Sequence, residues 1–191
     1  GLIIPDITNP YYPELARGVE DMARKAGVTL FLCNSDRDVD KEWGYAQALA
    51  QKQVDGIIIA KPHISLEQLN MLRRKCRIVL VDGTAEQLGE FDLVNVDNRS
   101  GAASAIDLLL SYGHRKIAFV GGIIESQSMQ DRLDAYRSVL EKSGIPYRPE
   151  WVKECNYSWH SGRAAALELL KAPGPHPTAF FVGNDIMALG V

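Results

Sequence analysis

Cysteine is scarce: Cys33, Cys76 and Cys155 are the only three in 191 residues, with no CxxC pair and no histidine at ligand spacing. An odd number so placed excludes a disulfide framework and a zinc site, and leaves free thiols in a reducing cytoplasm as the expectation. No apolar run reaches the roughly 18 residues that a membrane-spanning helix needs, and no charged segment leads into an apolar stretch with a cleavage site. Neither sign of charge dominates, since 21 Lys and Arg stand against 24 Asp and Glu for a net charge of −3. The basic residues come in short groups such as Arg73, Arg74 and Lys75. Without one basic stripe, this stretch alone reads as a poor binder of a phosphate backbone.

Catalytic motifs are missing too. There is no GxGxxG after the first apolar run, no GxxxxGK[ST], no GxSxG and no HExxH. The four histidines, His63, His114, His160 and His176, are far apart and lack a Ser or Cys partner, so they read as surface or turn residues. His160, two residues before Gly162, is the one at a crevice edge. These absences point away from an enzyme and imply no cofactor or metal.

What is present is a regular alternation. Short runs rich in Ile, Val and Phe recur at Leu2-Ile3-Ile4, Leu30-Phe31-Leu32-Cys33, Ile57-Ile58-Ile59, Ile78-Val79-Leu80-Val81, Leu93-Val94-Asn95-Val96, Ile117-Ala118-Phe119-Val120 and Ala179-Phe180-Phe181-Val182. Such runs read as strands buried on both faces, as in a parallel sheet. Between the first two, Leu15, Val19, Met22, Ala23 and Ala26 follow helical spacing, with Pro13 in the first turn and Gly27 at the stop. Ser65 and Gln68 form a capping box that starts another helix. Further helices are expected near 40–52, 99–112, 129–143 and 161–171. Strand, helix, strand, helix predicts a doubly wound α/β fold. The exception is 82–92, polar and without a helical stripe, which reads as a loop.

In such sheets ligands sit beyond the carboxyl ends of the strands. Those positions hold Asp6 with Asn9, Tyr11 and Tyr12, then Asn34-Ser35-Asp36, Asp82, Asp97, Gly121-Gly122, Asn156-Tyr157 and Gly183-Asn184-Asp185. Amides and acids can hydrogen-bond hydroxyl groups, and tyrosine faces can stack on an apolar ring, so the rim suits a small polar ligand such as a sugar. Each residue also has a plain alternative. Asp and Asn serve as turn formers and caps, Tyr11 and Tyr12 could staple the first helix to the sheet, and Arg132, early in a helix, is either solvated or held by a specific partner.

Four segments carry a family resemblance. They are Gly1-Leu2-Ile3-Ile4-Pro5-Asp6-Ile7-Thr8-Asn9-Pro10-Tyr11-Tyr12, Val54-Asp55-Gly56-Ile57-Ile58, Gly113-His114-Arg115-Lys116-Ile117-Ala118-Phe119-Val120-Gly121-Gly122 and Asn184-Asp185-Ile186-Met187-Ala188-Leu189-Gly190. In this order the chain resembles, from end to end, the effector-binding core of the LacI/GalR family of bacterial transcriptional regulators. The resemblance implies an α/β, periplasmic-binding-protein-like (type I) fold of two Rossmann-like lobes with parallel sheets. The N-terminal lobe is expected at 1–113, and a partial C-terminal lobe at 114–191. A helix-turn-helix headpiece is expected ahead of Gly1, and the second lobe is expected to continue past Val191.

The same resemblance implies the function: a cytoplasmic repressor core that binds a sugar or sugar derivative in the interlobe cleft and allosterically controls a homodimer on operator DNA. It marks Asn9, Tyr11, Tyr12, Asp82, Arg132, Tyr157 and Asn184 as ligand-binding residues, with Asp6 and Ser128 as secondary candidates. Two departures stand out: Ala135 replaces the glycine three residues after Arg132, and Gly83 stands where some sugar binders carry an arginine. Three other readings remain open. One is a periplasmic sugar-binding protein of a transporter. Another is a regulator core controlled by a phosphorylated partner protein, which the opening and Asn34-Ser35-Asp36 also resemble. The last is an α/β enzyme using Asp82 or Asp185 as general base.

Overall fold

The computed structural model describes every residue except 88 and 125, and residue 85 by its backbone alone. The chain divides into two compact units, Gly1–Val96 and Asp97–Val191.

The first unit is a five-stranded, all-parallel sheet in the order β2-β1-β3-β4-β5, formed by β1 (Leu2–Ile4), β2 (Leu32–Asn34), β3 (Gly56–Ala60), β4 (Arg77–Val81) and β5 (Asp92–Val94). Because side chains alternate across a strand, neighbouring residues of one apolar run serve two different cores. Ile3, Ile57, Ile59, Ile78 and Leu80 pack against α2 (Val39–Gln51) and α3 (Leu66–Arg73) through Ala46, Leu49, Leu69 and Leu72. Leu2, Ile4, Ala60 and Val81 face the other way, onto Tyr12 and Ala16 of α1 (Tyr11–Lys25).

The end signals of the helices are in place. Gly27 takes φ +70° and lets Val28 N–H reach back to Ala23 O at 2.9 Å. The Ser65 hydroxyl accepts Gln68 N–H at 3.2 Å, and the Gln68 side chain accepts Ser65 N–H at 2.8 Å. A buried carboxylate holds the turn before α3: Glu42 Oε1 accepts the N–H groups of His63 and Ile64 at 2.9 and 3.1 Å, and Oε2 lies 3.2 Å from His63 Nδ1.

The second unit has a three-stranded parallel sheet in the order β7-β6-β8, from β6 (Ile117–Gly121), β7 (Val152–Glu154) and β8 (Ala179–Val182). One face packs Ile117, Phe119 and Phe181 on α4 (Asn98–Ser111) and α5 (Gln127–Lys142). The other packs Ala118 and Val120 on α6 (Trp159–Lys171) and α7 (Asp185–Gly190), with Trp151 and Cys155. Tyr136 lies fully buried and donates its hydroxyl to Ile117 O at 2.8 Å, and burial pushes the phenol far above its ordinary pKa.

Three expectations change. The division falls after Val96 and not after Gly113, because α4 buries Ala102 and Ile106 in the same cluster as α5 and β6. The turn at Tyr112-Gly113-His114 is thus an ordinary connection from α4 to β6. Strand β2 is an edge strand and leaves Leu32 exposed instead of burying both faces. Strand β7 was missed, being an edge strand of three residues of which two, Lys153 and Glu154, are charged. The described residues of 82–92 are loop apart from one 3-10 turn at Ala85–Gln87 and the first residue of β5.

Candidate functional site

Each unit presents polar side chains at the carboxyl ends of its strands. In the first, Asp6 follows β1 and is held by three groups: Thr8 N–H and Thr8 Oγ1 donate to Oδ1 at 2.9 and 2.6 Å, and Arg37 Nη2 donates to Oδ2 at 3.2 Å. Asn34, at the end of β2, accepts Ile7 N–H at 2.8 Å and donates to Asp36 at 2.5 Å. Lys41 Nζ bonds the same Asp36 at 2.6 Å, and these two partners hold its carboxyl below the usual carboxylate range. The loops after β1 and β2 are in this way tied into one charged surface.

Asn9 spends its side-chain oxygen on Tyr11 N–H at 3.2 Å. The two tyrosine rings meet edge to face, centroids 5.1 Å apart, but their roles separate. Tyr12 is buried among Leu2, Ile4 and Val81, as a staple would be, while Tyr11 is 46% exposed and carries the accessible ring. Asp82 follows β4 with φ +56°, its N–H donating to Val94 O at 3.2 Å. The next residue is clasped by Asn95, whose Oδ1 accepts Gly83 N–H at 3.0 Å and whose Nδ2 donates to Gly83 O at 3.1 Å. A Cβ at Gly83 would lie 2.7 Å from Leu93 Cδ2 and 2.8 Å from Gln87 Oε1, so any side chain here would have to displace the ends of those two.

In the second unit Arg132 has specific partners. Its Nε and Nη2 both donate to Asn98 Oδ1, at 3.0 and 2.7 Å, and Nη1 donates to Gly183 O. Among the described residues three of its five N–H groups are engaged and two are not, on a half-buried, fixed plane. Next to Gly183, Asn184 caps α7 by accepting Met187 N–H at 2.9 Å, and its Nδ2 is buried with no partner among the described residues. Tyr157 adopts φ +66°, its hydroxyl 3.4 Å from Ser126 Oγ. Its ring covers Gly122, where a Cβ would come within 2.0 Å of it. Ser128 is buried in the first turn of α5.

The sequence-expected residues therefore fall at strand ends or in the helices that follow them, in two groups: Asp6, Asn9, Tyr11, Tyr12 and Asp82 in the first unit, and Ser128, Arg132, Tyr157 and Asn184 in the second. Asp97 is a plain helix cap, its side chain accepting Ser100 N–H at 2.9 Å, which keeps its carboxyl below the usual range. Asn98 and Asn95 were missed, and Gly122, found as a strand-end position, is the seat of the Tyr157 ring. Asn98 had one usable signal, a planar amide at the start of the helix that follows the strand end at Asp97. Among the described residues no histidine is bonded to a Ser or Cys side chain: His63 meets Glu42, His114 meets the Thr178 hydroxyl at 3.0 Å, His176 meets Leu169 O at 3.4 Å, and His160 lies edge-on to Trp159. Among the described residues no group of His, Cys, Asp and Glu could hold a metal ion, and no helix is long and apolar enough to cross a membrane.

Comparison with known proteins gives these rims a context. The family described as periplasmic binding proteins and sugar binding domain of LacI family matches residues 1–191. Catabolite control protein A of Priestia megaterium is 38% identical over 192 residues, covering all of this chain and 58% of that protein. The ribose operon repressor of Halalkalibacterium halodurans is 35% identical over 195 residues, covering all of this chain and 55% of that protein. The chain thus spans little more than half the length of these curated relatives. A LacI family transcriptional regulator from Enterococcus faecium, solved with bound ribose, superposes with a TM-score of 0.85 at 30% identity, over all of this chain and 68% of that one. The architecture is the α/β, type I periplasmic-binding-protein-like arrangement of Rossmann-like units that the sequence implied. With every residue matched, the chain belongs to the family of periplasmic binding proteins and LacI-type sugar-binding domains.

Proposed function

We propose that this chain is the effector-sensing core of a LacI-type repressor, and that its effector is a neutral sugar or sugar phosphate. The observation that carries this reading is the guanidinium of Arg132, fixed by Asn98 and Gly183 O and, among the described residues, with two N–H groups to spare, together with the Asn184 Nδ2 that has no partner among those residues. Planar, preorganised donors of this kind suit hydroxyl or phosphoryl oxygens. Asp82 supplies an acceptor and the Asn9 amide a donor for ligand hydroxyls, and Tyr11 and Tyr157 supply ring faces for its apolar side. Tyr12, Asp6 and Ser128 support these positions from behind. The ribose-bound neighbour and the ribose operon repressor support a sugar as the ligand class.

The mechanism is binding, not turnover. A ligand shifts a regulator only by the difference in its affinity for two conformations. We read the complete protein as a cytoplasmic homodimer that grips operator DNA through a headpiece, with effector occupancy setting the grip. Exposed Val28, Phe31 and Leu32 beside the edge strand β2 support pairing of copies. The test is calorimetry on the complete regulator with pentoses, hexoses, their phosphates and purines. Binding of a sugar or sugar phosphate is expected, weakened at least tenfold by Arg132→Ala. A response to purines and to no sugar sinks the reading of the ligand, and an unchanged isotherm for Arg132→Ala sinks the assigned role.

A further inference from the structure

In sequence Arg73, Arg74 and Lys75 form a short basic group in a slightly acidic chain. Folding adds to it. In a parallel sheet with helical crossovers, helix C-termini and strand N-termini share one edge. In the first unit that edge gathers Arg24 and Lys25 from the end of α1, Lys52 from the C-cap of α2, Arg73, Arg74 and Lys75 from the end of α3, and Arg77 from the start of β4. Asp21, Asp55, Glu90 and Asp92 are the acids nearby, so the edge carries three net positive charges in a chain whose total is −3.

All seven cations are exposed. Arg24 is shared with Asp21 at 3.5 Å, and Arg73 donates to Glu90 O at 2.8 Å and lies over Phe91. Among the described residues Lys25, Lys52, Arg74, Lys75 and Arg77 make no ion pair. On the opposite edge, by contrast, Arg37 and Lys41 are paired with Asp6 and Asp36. Offsetting helix dipoles accounts for Arg24, Lys25 and Arg73, which sit in last turns. It does not account for Lys75 and Arg77, which lie beyond the helix. Gly1 opens onto the same edge: its ammonium donates to Gly56 O at 2.8 Å, and Gly56 is in register with Arg77. Residues joined ahead of Gly1 therefore emerge beside the unpaired cations.

We propose that this amino edge of the first unit contacts the phosphate backbone of DNA next to the operator. The proposal rests on the reading of the chain as the core of a DNA-binding regulator, and adds a direct contact made by the core itself. DNA is favoured over an acidic protein because a DNA-reading segment tethered at Gly1 would hold phosphates at high effective concentration beside this edge.

The test uses the complete regulator and a duplex that the wild-type protein selects from a random-sequence pool. Affinity is measured from about 50 to 200 mM salt, where each neutralised phosphate contributes about 0.9 to the slope of log K against log salt. The variant R74Q/K75Q/R77Q is expected to lose about 2–3 from that slope per protomer, and at least tenfold in affinity at the low-salt end, with circular dichroism and effector binding unchanged. Lys142→Gln, a cation at the end of α5, is expected to leave the slope alone. An unchanged slope in the triple variant overturns the proposal and leaves the proposed function standing. Equal losses in the triple variant and in Lys142→Gln overturn it as a general charge effect. An unchanged DNA slope with weakened binding of polyglutamate assigns the edge to an acidic protein and overturns it too. If the wild type selects no duplex, the proposed function falls first and this proposal with it.

Discussion

Gly122 leaves no room for an added carbon unless the side chain of Tyr157 moves. A Cβ there would lie 2.0 Å from Cε1, 2.1 Å from Cζ and 2.7 Å from Cδ1 of Tyr157. Gly122→Ala must therefore move the ring. The ring is not free to swing, since its backbone is already left-handed at φ +66° and it packs on the cluster containing Ala118, Val120 and Trp151. Overpacking of this kind costs about 1–3 kcal/mol. Tyr157→Ser, which removes a partly buried ring, costs about 1–3 kcal/mol by a different route. In the double variant the ring atoms that the new methyl would strike are gone, so it should be no less stable than Tyr157→Ser alone, within about 0.5 kcal/mol. Urea unfolding followed by the fluorescence of Trp151 and Trp159, both in the second unit, in a Trp43→Phe background reads that unit directly. Additive costs in the double variant would refute the clash as the mechanism. If Tyr157 stacks on the effector, Gly122→Ala should also weaken effector binding by about 0.5–1.5 kcal/mol.

Three further outcomes can be measured with the same equipment. Ser65→Ala removes the acceptor for Gln68 N–H and half of the capping box, and should lower the stability of the first unit by about 0.5–2 kcal/mol in urea. Glu42→Ala strands the N–H groups of His63 and Ile64 and should cost about 3–5 kcal/mol, whereas Glu42→Gln, which keeps an acceptor oxygen, should cost markedly less. Asp36 has a carboxyl pKa below its ordinary value, chiefly through Lys41 and then Asn34. Its contribution to stability is therefore present above the unfolded pKa of about 3.9 and is lost as pH falls through the lower folded value. Asp36→Asn should remove that part of the acid dependence in urea midpoints taken from pH 6 down to 2, and a profile parallel to the wild type would contradict the Lys41 pairing.

Local pattern revealed most of the elements, because a strand buried on both faces and a helix with end signals announce themselves within ten residues. What it could not reveal was which sheet a helix serves. Helix α4 shows an apolar face in Ala102 and Ile106, but only the fold shows that this face meets α5 and β6, and the boundary moved from 113 to 96 for that reason. Strand β7 escaped because an edge strand needs no apolar run. The site was legible as positions more than as pairings. Strand ends were found by counting along the chain. The bonds between Arg132 and Asn98, 34 residues apart, and between Arg132 and Gly183, 51 apart, are long-range. Several amides could have served, and no spacing singles out Asn98.

Backbone conformation adds an argument that sequence does not contain. Among the described residues, the non-glycine positions with positive φ are Asp36, Arg37, Gln53, Lys61, Asp82 and Tyr157. Gln53 ends a helix. The other five follow the carboxyl ends of β2, β3, β4 and β7 within three residues. A left-handed residue with a Cβ costs on the order of 1–2 kcal/mol, which glycine would avoid. Asp tolerates the conformation well, but Arg, Lys and Tyr do not. The strand ladder holds two of these turns in place by running one bond past its end: Lys61 N–H donates to Val81 O at 2.6 Å and Asp82 N–H to Val94 O at 3.2 Å. The backbone is thus over-determined where it is strained, as expected where a turn must aim a particular side chain. Replacing these residues by glycine would relieve the backbone and delete the groups that line the rims, so the strain is best understood as the cost of keeping side chains there.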